Sequence, residues 1–372
     1  MAFTLSFSSS LFCLLGILFL HRATVISGCF SMEREALLDF KAGIHDTRNR
    51  LSSWTGHHCC TWKGVACDTT TGHVVMLDLR NTNITDDRAL RGERMNSSLL
   101  ALSHLEHLDL SFNDFSGIRI PEFISSFKKL RYLNLSSTKF MGGIPARVGN
   151  LSSLYVLDLG SNLFNGSMPS SIGKLSNLTV LYLGGNSLAG VISEVHFENL
   201  TRLQVLDLSY NPINISIGQS WVPPFQLRFV DLTKCQLGPQ FPEWLQFQTQ
   251  IQELYLADCK IAGTMPAWFW NISSSTIVFL DLSNNQIGGK LPSSFHSTKL
   301  ERFHLESNRF EGPLPMMLPA TLDTLFLSNN SYTGQLPIWP YVRFVSISDN
   351  MLDVWMIQNF MIDGEKKYIK YL

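Results

Sequence analysis

The sequence predicts an α/β repeat solenoid, a stack of short units sharing one concave parallel sheet. Three observations predict it. A Leu-x-Leu triplet recurs at near-constant spacing, a polar or thiol residue stands five positions after the start of most triplets, and a Gly-x-[Ile/Leu/Met]-Pro element closes many of the units. The chain has 372 residues, of which 45% are hydrophobic and 16% charged. That length exceeds the size at which one compact core stops growing, whereas a stack of repeats lengthens unit by unit because each touches only its neighbours. The apolar content excludes general disorder. A formal net charge of −1 leaves no basic surplus for a phosphate backbone, so no nucleic-acid partner is expected.

In chain order, Leu11–Leu20 comes first: ten apolar residues, too short to span a bilayer and suited to the core of a secretory signal. Small residues at Ser27 and Gly28 place cleavage there, so 1–28 is read as a signal peptide. No later apolar run reaches 18 residues, and no transmembrane helix is expected in this chain.

The triplets start at Leu77, Leu108, Leu133, Leu157, Leu181, Leu206, Val230, Leu254, Leu280, Phe303, Leu325 and Val345, giving twelve units over 73–352. After a first step of 31 they lie 20 to 26 residues apart. Five residues after each start stand Thr82, Asn113, Thr138, Asn162, Asn186, Asn211, Cys235, Cys259, Asn285, Asn308, Asn330 and Asn350. This is the signature of leucine-rich repeats. Both triplet leucines fall on one face of a short strand, and stacking buries that face. The Asn amide can satisfy backbone groups left unpaired in the bend. Cys and Thr make fewer such bonds, so Cys235 and Cys259 are expected to be buried thiols on weaker rungs. The long first step leaves a charged insertion at 85–98, read as a mobile loop.

Downstream of the ladder come segments such as Phe164-Asn-Gly-Ser-Met-Pro169 and Phe310-Glu-Gly-Pro-Leu-Pro315. Gly permits a strained bend and Pro fixes φ while removing a donor, which together start an irregular or 3₁₀ convex turn. The element resembles the plant-specific subclass of leucine-rich repeats. The resemblance implies a right-handed superhelix with a second short sheet beside the concave one.

A repeat stack needs capped ends. Residues 29–72 read as an N-terminal cap, in which Ser31 opens a helix, Leu37, Phe40 and Ile44 share a face, and Gly43 stops it. Cys29, Cys59, Cys60 and Cys67 form an even set that a secretory route turns into disulfides, with three pairings open. His57-His58-Cys59-Cys60 has zinc-ligand types, but secretion favours disulfides and no metal is expected. Met32-Glu-Arg-Glu-Ala-Leu-Leu-Asp-Phe-Lys41, Cys59-Cys-Thr-Trp-Lys-Gly-Val-Ala-Cys-Asp68 and Thr71-Gly-His-Val-Val75 are similar to plant leucine-rich-repeat receptor-like proteins of the fungal-xylanase-receptor and tomato resistance-protein type. The resemblance covers residues 29 to about 352, and it implies the bridges Cys29–Cys59 and Cys60–Cys67.

Asn-x-Ser/Thr sequons make Asn83, Asn96, Asn150, Asn165, Asn177, Asn199, Asn214, Asn271 and Asn329 candidate glycosylation sites. A tenth, at Asn134, sits between two ladder leucines, where a glycan would block the groove. No nucleophile elbow, phosphate loop or kinase signature is present, and no enzyme activity or cofactor is expected. The aspartates between ladder leucines (Asp78, Asp109, Asp158, Asp207, Asp231, Asp281) are read as a solvated face. Binding is expected where this face departs from Asp, at Tyr182, Tyr255, His304 and Phe326, with Tyr132, Tyr155, Tyr210, Arg228, Phe229, Arg302 and Arg343 beside them. Aromatic and Arg side chains supply most of the energy at protein interfaces.

Residues 353–372 leave the pattern, so the chain is read as a shortened receptor-like protein with an off-pattern tail. The resemblance implies a secreted recognition module that binds a peptide, a microbial protein or a co-receptor kinase on its concave face, in defence or development. It would lie outside the cell, or on the outer face of the plasma membrane where a longer product is anchored. A soluble inhibitor of a cell-wall hydrolase, or a non-functional truncated product, are the alternatives.

Overall fold

A computed structural model describes residues 29–83, 88–272, 276–295, 299–353 and 368–370. The signal segment lies outside these residues. Each of the twelve expected triplets forms a strand, and the triplet starts lie side by side in unbroken parallel register, as in Leu157↔Leu181↔Leu206↔Val230↔Leu254. Because side chains alternate along a strand, the triplet leucines all point inward and their flanking residues outward. The inward row is almost fully buried, Leu157, Leu181, Leu183 and Leu208 at 0% exposure.

The main sheet has 14 strands, not twelve. Val65–Cys67 of the cap adds an antiparallel strand at one edge, against Val74–Asp78. At the other edge Tyr368–Lys370 adds a parallel one, with Val345 opposite Ile369. This strand comes from within 353–372, the segment read as an off-pattern tail. Ile369 follows Val345 at the repeat spacing, although the intervening residues lack the consensus leucines and turn elements that reveal a repeat.

The Gly-x-[Ile/Leu/Met]-Pro segments leave the concave strands and form three smaller sheets, the largest of five strands from Ala262–Thr264 to Met351–Asp353. Their glycine is needed where it adopts positive φ, as at Gly142 (79°), where L-residues are strained. Pro121, Pro145, Pro169 and Pro242 then sit immediately before 3₁₀ turns on the convex side. Ala267–Ile272 is a single α-helical turn in the same place.

The ladder asparagines hold the bends. Asn162 donates from Nδ2 to the carbonyls of Leu135 (2.7 Å), Leu159 (3.1 Å) and Gly160 (3.1 Å), and its Oδ1 accepts the Phe140 N–H at 3.0 Å. Each amide therefore ties its own bend to the preceding rung. The residue before it is left-handed in rung after rung, as at Ser161, Asp258 and Asn329, and the amide network stabilises that conformation. Cys235 and Cys259 are buried free thiols, as expected. Cys235 donates to one carbonyl, Leu208 O at 3.2 Å, and Cys259 to Leu232 O at 3.0 Å with a weak second contact to Ala257 O at 3.5 Å.

The first rung differs from the expectation. Thr82 is exposed and takes no ladder role. Its place is filled from the cap: Arg50 donates to Leu79 O (2.7 Å), Arg80 O (2.9 Å), Arg88 O (3.0 Å) and Asn113 Oδ1 (2.8 Å). A guanidinium reaches across several bend carbonyls at once, which a Thr hydroxyl cannot.

In the cap, α1 spans Ser31–Ala42 and ends at Gly43. Ser31 is the first helical residue, and no side chain caps the N-terminus. Leu37 and Phe40 are buried, while Ile44 has left the helix for a two-residue strand with His45. Glu33 is 2% exposed and is consumed by His73 Nδ1 (3.0 Å) and the Val74 N–H (3.1 Å), which pins the helix to the first strand. The bridges are Cys29–Cys59 and Cys60–Cys67, with Cα–Cα distances of 5.6 and 5.4 Å. Trp54 and Trp62 stack between them and the sheet at 5.4 Å.

The described part of the insertion, 88–98, is not a mobile loop. Arg91–Gly92 pairs antiparallel with Ile44–His45, Leu90 and Met95 are buried, and Asn96 donates to Asp39 at 2.7 Å. Its apolar residues fold it onto the cap.

Rung strength should follow these bonds. Asn162→Ala is expected to cost about 2–4 kcal/mol, because it leaves the Thr138 and Phe140 N–H groups without their acceptor and removes three donor contacts to bend carbonyls. Cys235→Ala, losing one weak thiol bond, is expected to cost about 1 kcal/mol. Urea unfolding of the secreted variants measures both, and equal losses would refute the ranking.

Candidate functional site

The concave face is built from the two residues flanking each inward leucine. The aspartates there are not a solvated row. Asp109 is 1% exposed, and its Oδ1 accepts the Ser111 N–H (2.9 Å) and hydroxyl (2.7 Å). The arrangement repeats at Asp207 with Ser209, Asp231 with Thr233, Asp281 with Ser283 and Asp158 with Gly160, each at 2.9–3.0 Å to the N–H. Burial pushes the carboxyls of Asp158, Asp207 and Asp231 above the usual range. These side chains cap the bends of their own strands, since a backbone N–H turned inward at a bend needs an acceptor.

From Tyr182 to Phe326 the face is aromatic, with Tyr182, Tyr255, His304 and Phe326 at the Asp position and Phe229 and Phe279 before the inward residue. Tyr182, Phe229, Tyr255, Phe279, His304 and Phe326 form a ribbon across the sheet, each ring 4.6 to 6.4 Å from the next. Five of these were expected from sequence. Phe279 was missed, although it occupies the same position before the leucine as Phe229. Arg302 lies 5.9 Å over the Phe279 ring. Burial, and the 2.8 Å bond that Tyr255 donates to Glu253, push the Tyr255 phenol up.

The other expected residues divide. Tyr132 stands apart near the cap, stacked on His107 at 4.2 Å and bonded to Asp109 and Asn134. Tyr155, Arg228 and Arg343 precede their strands and are exposed along the entry edge, with Arg343 paired to Asp323. Tyr210 projects from a left-handed bend (φ 53°) with the Lys234 ammonium 4.8 Å over its ring. Tyr210, Lys234, Asp258, Tyr255 and the Asp231 and Asp281 rungs enclose an open hollow of about 690 Å³.

Beside that hollow, the strand of Phe303 breaks the Asp–Ser pairing with His304 and Glu306. His304 Nε2 and Glu306 Oε2 are both sheltered from solvent without a hydrogen-bond partner among the described residues. Burial lowers the His304 pKa and raises that of Glu306 to about 7, with the Asp281 charge adding to the latter.

A metal finds poor geometry here. Glu33, His73 and His104 bring ligand atoms within 4.8 Å of one another. The two imidazoles, however, stack 3.7 Å apart and 8° from parallel, so their lone pairs lie in parallel planes and do not converge. Cys59, Cys60 and Cys67 are all held in disulfides.

Among the sequons, Asn150, Asn165, Asn199, Asn214, Asn271 and Asn329 are exposed. Asn83, Asn96 and Asn177 are half-buried, and Asn177 donates to Ser152 O at 3.0 Å. Asn134 is half-buried too: its Oδ1 accepts the Ser136 N–H and hydroxyl, and its Nδ2 donates to Tyr132.

Residues 30–68 match the leucine-rich-repeat N-terminal domain family, 79–211 the leucine-rich-repeat region, and 250–272 and 276–298 single leucine-rich repeats. Receptor-like protein EIX2 of Solanum lycopersicum is 40% identical over 90% of this chain and 34% of its own length. Receptor-like protein EIX1 of the same species is 39% identical over 80% of this chain and 28% of its own. The chain belongs to the plant leucine-rich-repeat receptor-like proteins. It spans about a third of the length of these relatives. Its fold is shared with the ectodomain of the Arabidopsis receptor kinase HAESA, solved with an IDA peptide hormone (TM-score 0.69, 28% identity, 86% of this chain and 57% of that one). Among the described residues no helix of this receptor-like protein is long and apolar enough to cross a membrane. Its cap disulfides fit the secretory pathway.

The Glu306 shift fixes a pH signature. Its carboxyl titrates at an ordinary 4.5 when unfolded and near 7 when folded. Between these values the native state holds a proton that the unfolded state releases, so stability is lost as pH rises from about 4.5 through 7. Glu306→Gln should gain on the wild type across that window, by about 1 kcal/mol for a partly solvated, screened group. Thermal unfolding at pH 5 and pH 8 tests this, and a pH-independent difference would refute it.

Proposed function

We propose that this protein is a non-enzymatic extracellular recognition module that binds a peptide or secreted protein along the aromatic ribbon of its concave sheet. The ribbon carries the reading. The buried aspartates of the face are spent on their own bends, while Tyr182 to Phe326 offers a continuous run of half-exposed rings. Such rings are the side chains that contribute most at recognition surfaces. Arg228 and Arg302 lie along one edge, Arg343 being paired to Asp323, and a peptide ligand would lie across the strands. The HAESA ectodomain, which shares the fold, was solved with a peptide hormone, and this supports a ligand of that kind. A co-receptor kinase is the expected second partner, with defence or development as the setting. The protein would work in the apoplast, or at the outer face of the plasma membrane in an anchored product.

Selection of a displayed random-decapeptide library on the secreted protein tests this. Selected peptides should lose about ten- to hundredfold in affinity on Tyr182→Ala/Tyr255→Ala. Equal binding to the variant, with its unfolding transition intact, would overturn the concave-face assignment.

Glycans should leave this surface open. Peptide mapping should find sugars on Asn150, Asn165 and Asn199 and a bare Asn134, whose amide and Ser136 hydroxyl are already committed to each other. A fully occupied Asn134 would contradict the arrangement.

A further inference from the structure

We propose that His304 and Glu306 form a subsite for a primary carboxamide of the ligand, an Asn or Gln side chain or an amidated terminus. This rests on the concave-face reading and deepens it. On the neighbouring polar rungs the residue after the leucine is answered by the residue two further on, as Asp281 is by Ser283. On the Phe303 strand the corresponding pair is His304 and Glu306, and neither answers the other. Among the described residues His304 Nε2 and Glu306 Oε2 are left sheltered and unpartnered at the same strand end. Buried polar atoms in folded proteins are rarely left unpaired, and each unpaired one is costly.

The surroundings hold the pair ready. The His304 ring is stacked on Phe326 at 4.6 Å and set edge-on to Phe279 at 5.1 Å, which fixes its plane. Asp281 is the charged neighbour of both groups from the preceding rung, and Arg302 lies on the same strand over Phe279.

A carboxamide matches because it carries a donor and an acceptor side by side. With Glu306 ionised, the amide NH₂ donates to Oε2 and its C=O accepts from Nε2–H. With Glu306 protonated, the carboxyl donates to the C=O and the NH₂ donates to Nε2. Burial keeps His304 neutral, so both arrangements are available near neutral pH. A ligand cation would be served only by the ionised form, with Asp281 attracting it and Arg302 opposing it.

The decapeptide selection supplies the probe. Wild-type selections should converge on Asn, Gln or an amidated end at one register, and its replacement by Ala should cost about tenfold. Glu306→Ala and His304→Ala should each cost as much, with no further loss from the truncated peptide, while Glu306→Gln, which keeps an acceptor and a donor, should bind within about threefold. Peptides that depend on Tyr255 but not on His304 or Glu306 would overturn the subsite and leave the concave-face reading intact. A Lys or Arg at that register, binding more tightly as pH rises through 7, would also overturn it. No selected peptide on folded wild-type protein would count against the concave face itself.

Discussion

A strand that must turn sharply out of a parallel sheet leaves carbonyls pointing into the bend, and everything else here depends on how they are satisfied. The solution is lateral. A buried amide such as Asn211 reaches carbonyls of its own bend, Leu208 O and Ser209 O, and one of the rung before, Leu183 O. Burying the leucines drives the stack together, yet leucines alone would slide past one another. The amide lattice fixes the register, since a slip by one residue would strand every bond at once. It also makes the structure nearly one-dimensional, with each rung answering only to its neighbours.

That logic fails at the ends, where a rung lacks one neighbour, and the cap repairs it in kind. Arg50 supplies the four donor contacts that the missing asparagine would have shared among the first bends. Burial lowers its pKa, opposed by the carboxylates of Asp46 and Asp78, and a guanidinium stays charged regardless. Glu33 performs the matching task for the Val74 N–H at the start of the first strand. The two disulfides then hold the segment carrying these residues against the sheet.

Most of this was legible because it is periodic. Every triplet start lands in the sheet, and the bend residues from Asn113 onward occupy the ladder, because inward burial and bend geometry leave few residue types to choose from. What escaped the reading is what repeats do not determine. Arg50 lies outside any period, so nothing local marks it as a rung. Ile369 keeps the spacing but not the leucines. The aspartates were legible as residues and misread in role, because their partners, two positions on, look like ordinary turn serines. Phe279 had the same signal as Phe229 and was simply not separated from the apolar background. Glu306 carried a signal too, since it stands where every other unit but the first, which has Arg80, carries Ser, Thr, Gly or Ala, but only burial shows that it is unpartnered.

The location of the ribbon follows from the same constraint that builds the ladder. A rung that gives up its outward Asp leaves the bend N–H without that acceptor, and at the two ribbon tyrosines the residue two further on changes as well. Tyr182 is followed two residues on by Gly184 and Tyr255 by Ala257, neither of which brings a hydroxyl needing an acceptor. At Gly184 the reason is also steric, because a Cβ there would lie 2.4 Å from the Asp207 carboxylate of the next rung. The aromatic surface is therefore not free decoration on an indifferent scaffold. Tyr182 and Tyr255 stand over bends that carry no hydroxyl, and among the described residues His304 with Glu306 is the paired replacement on the ribbon that adds polar atoms without partners. Ser98 Oγ, His107 Nε2, Trp244 Nε1 and Tyr332 OH are also sheltered and unpartnered among the described residues, but only on the Phe303 strand do two such atoms stand two residues apart beside the aromatic rings, and that pairing is what marks this stretch of the sheet.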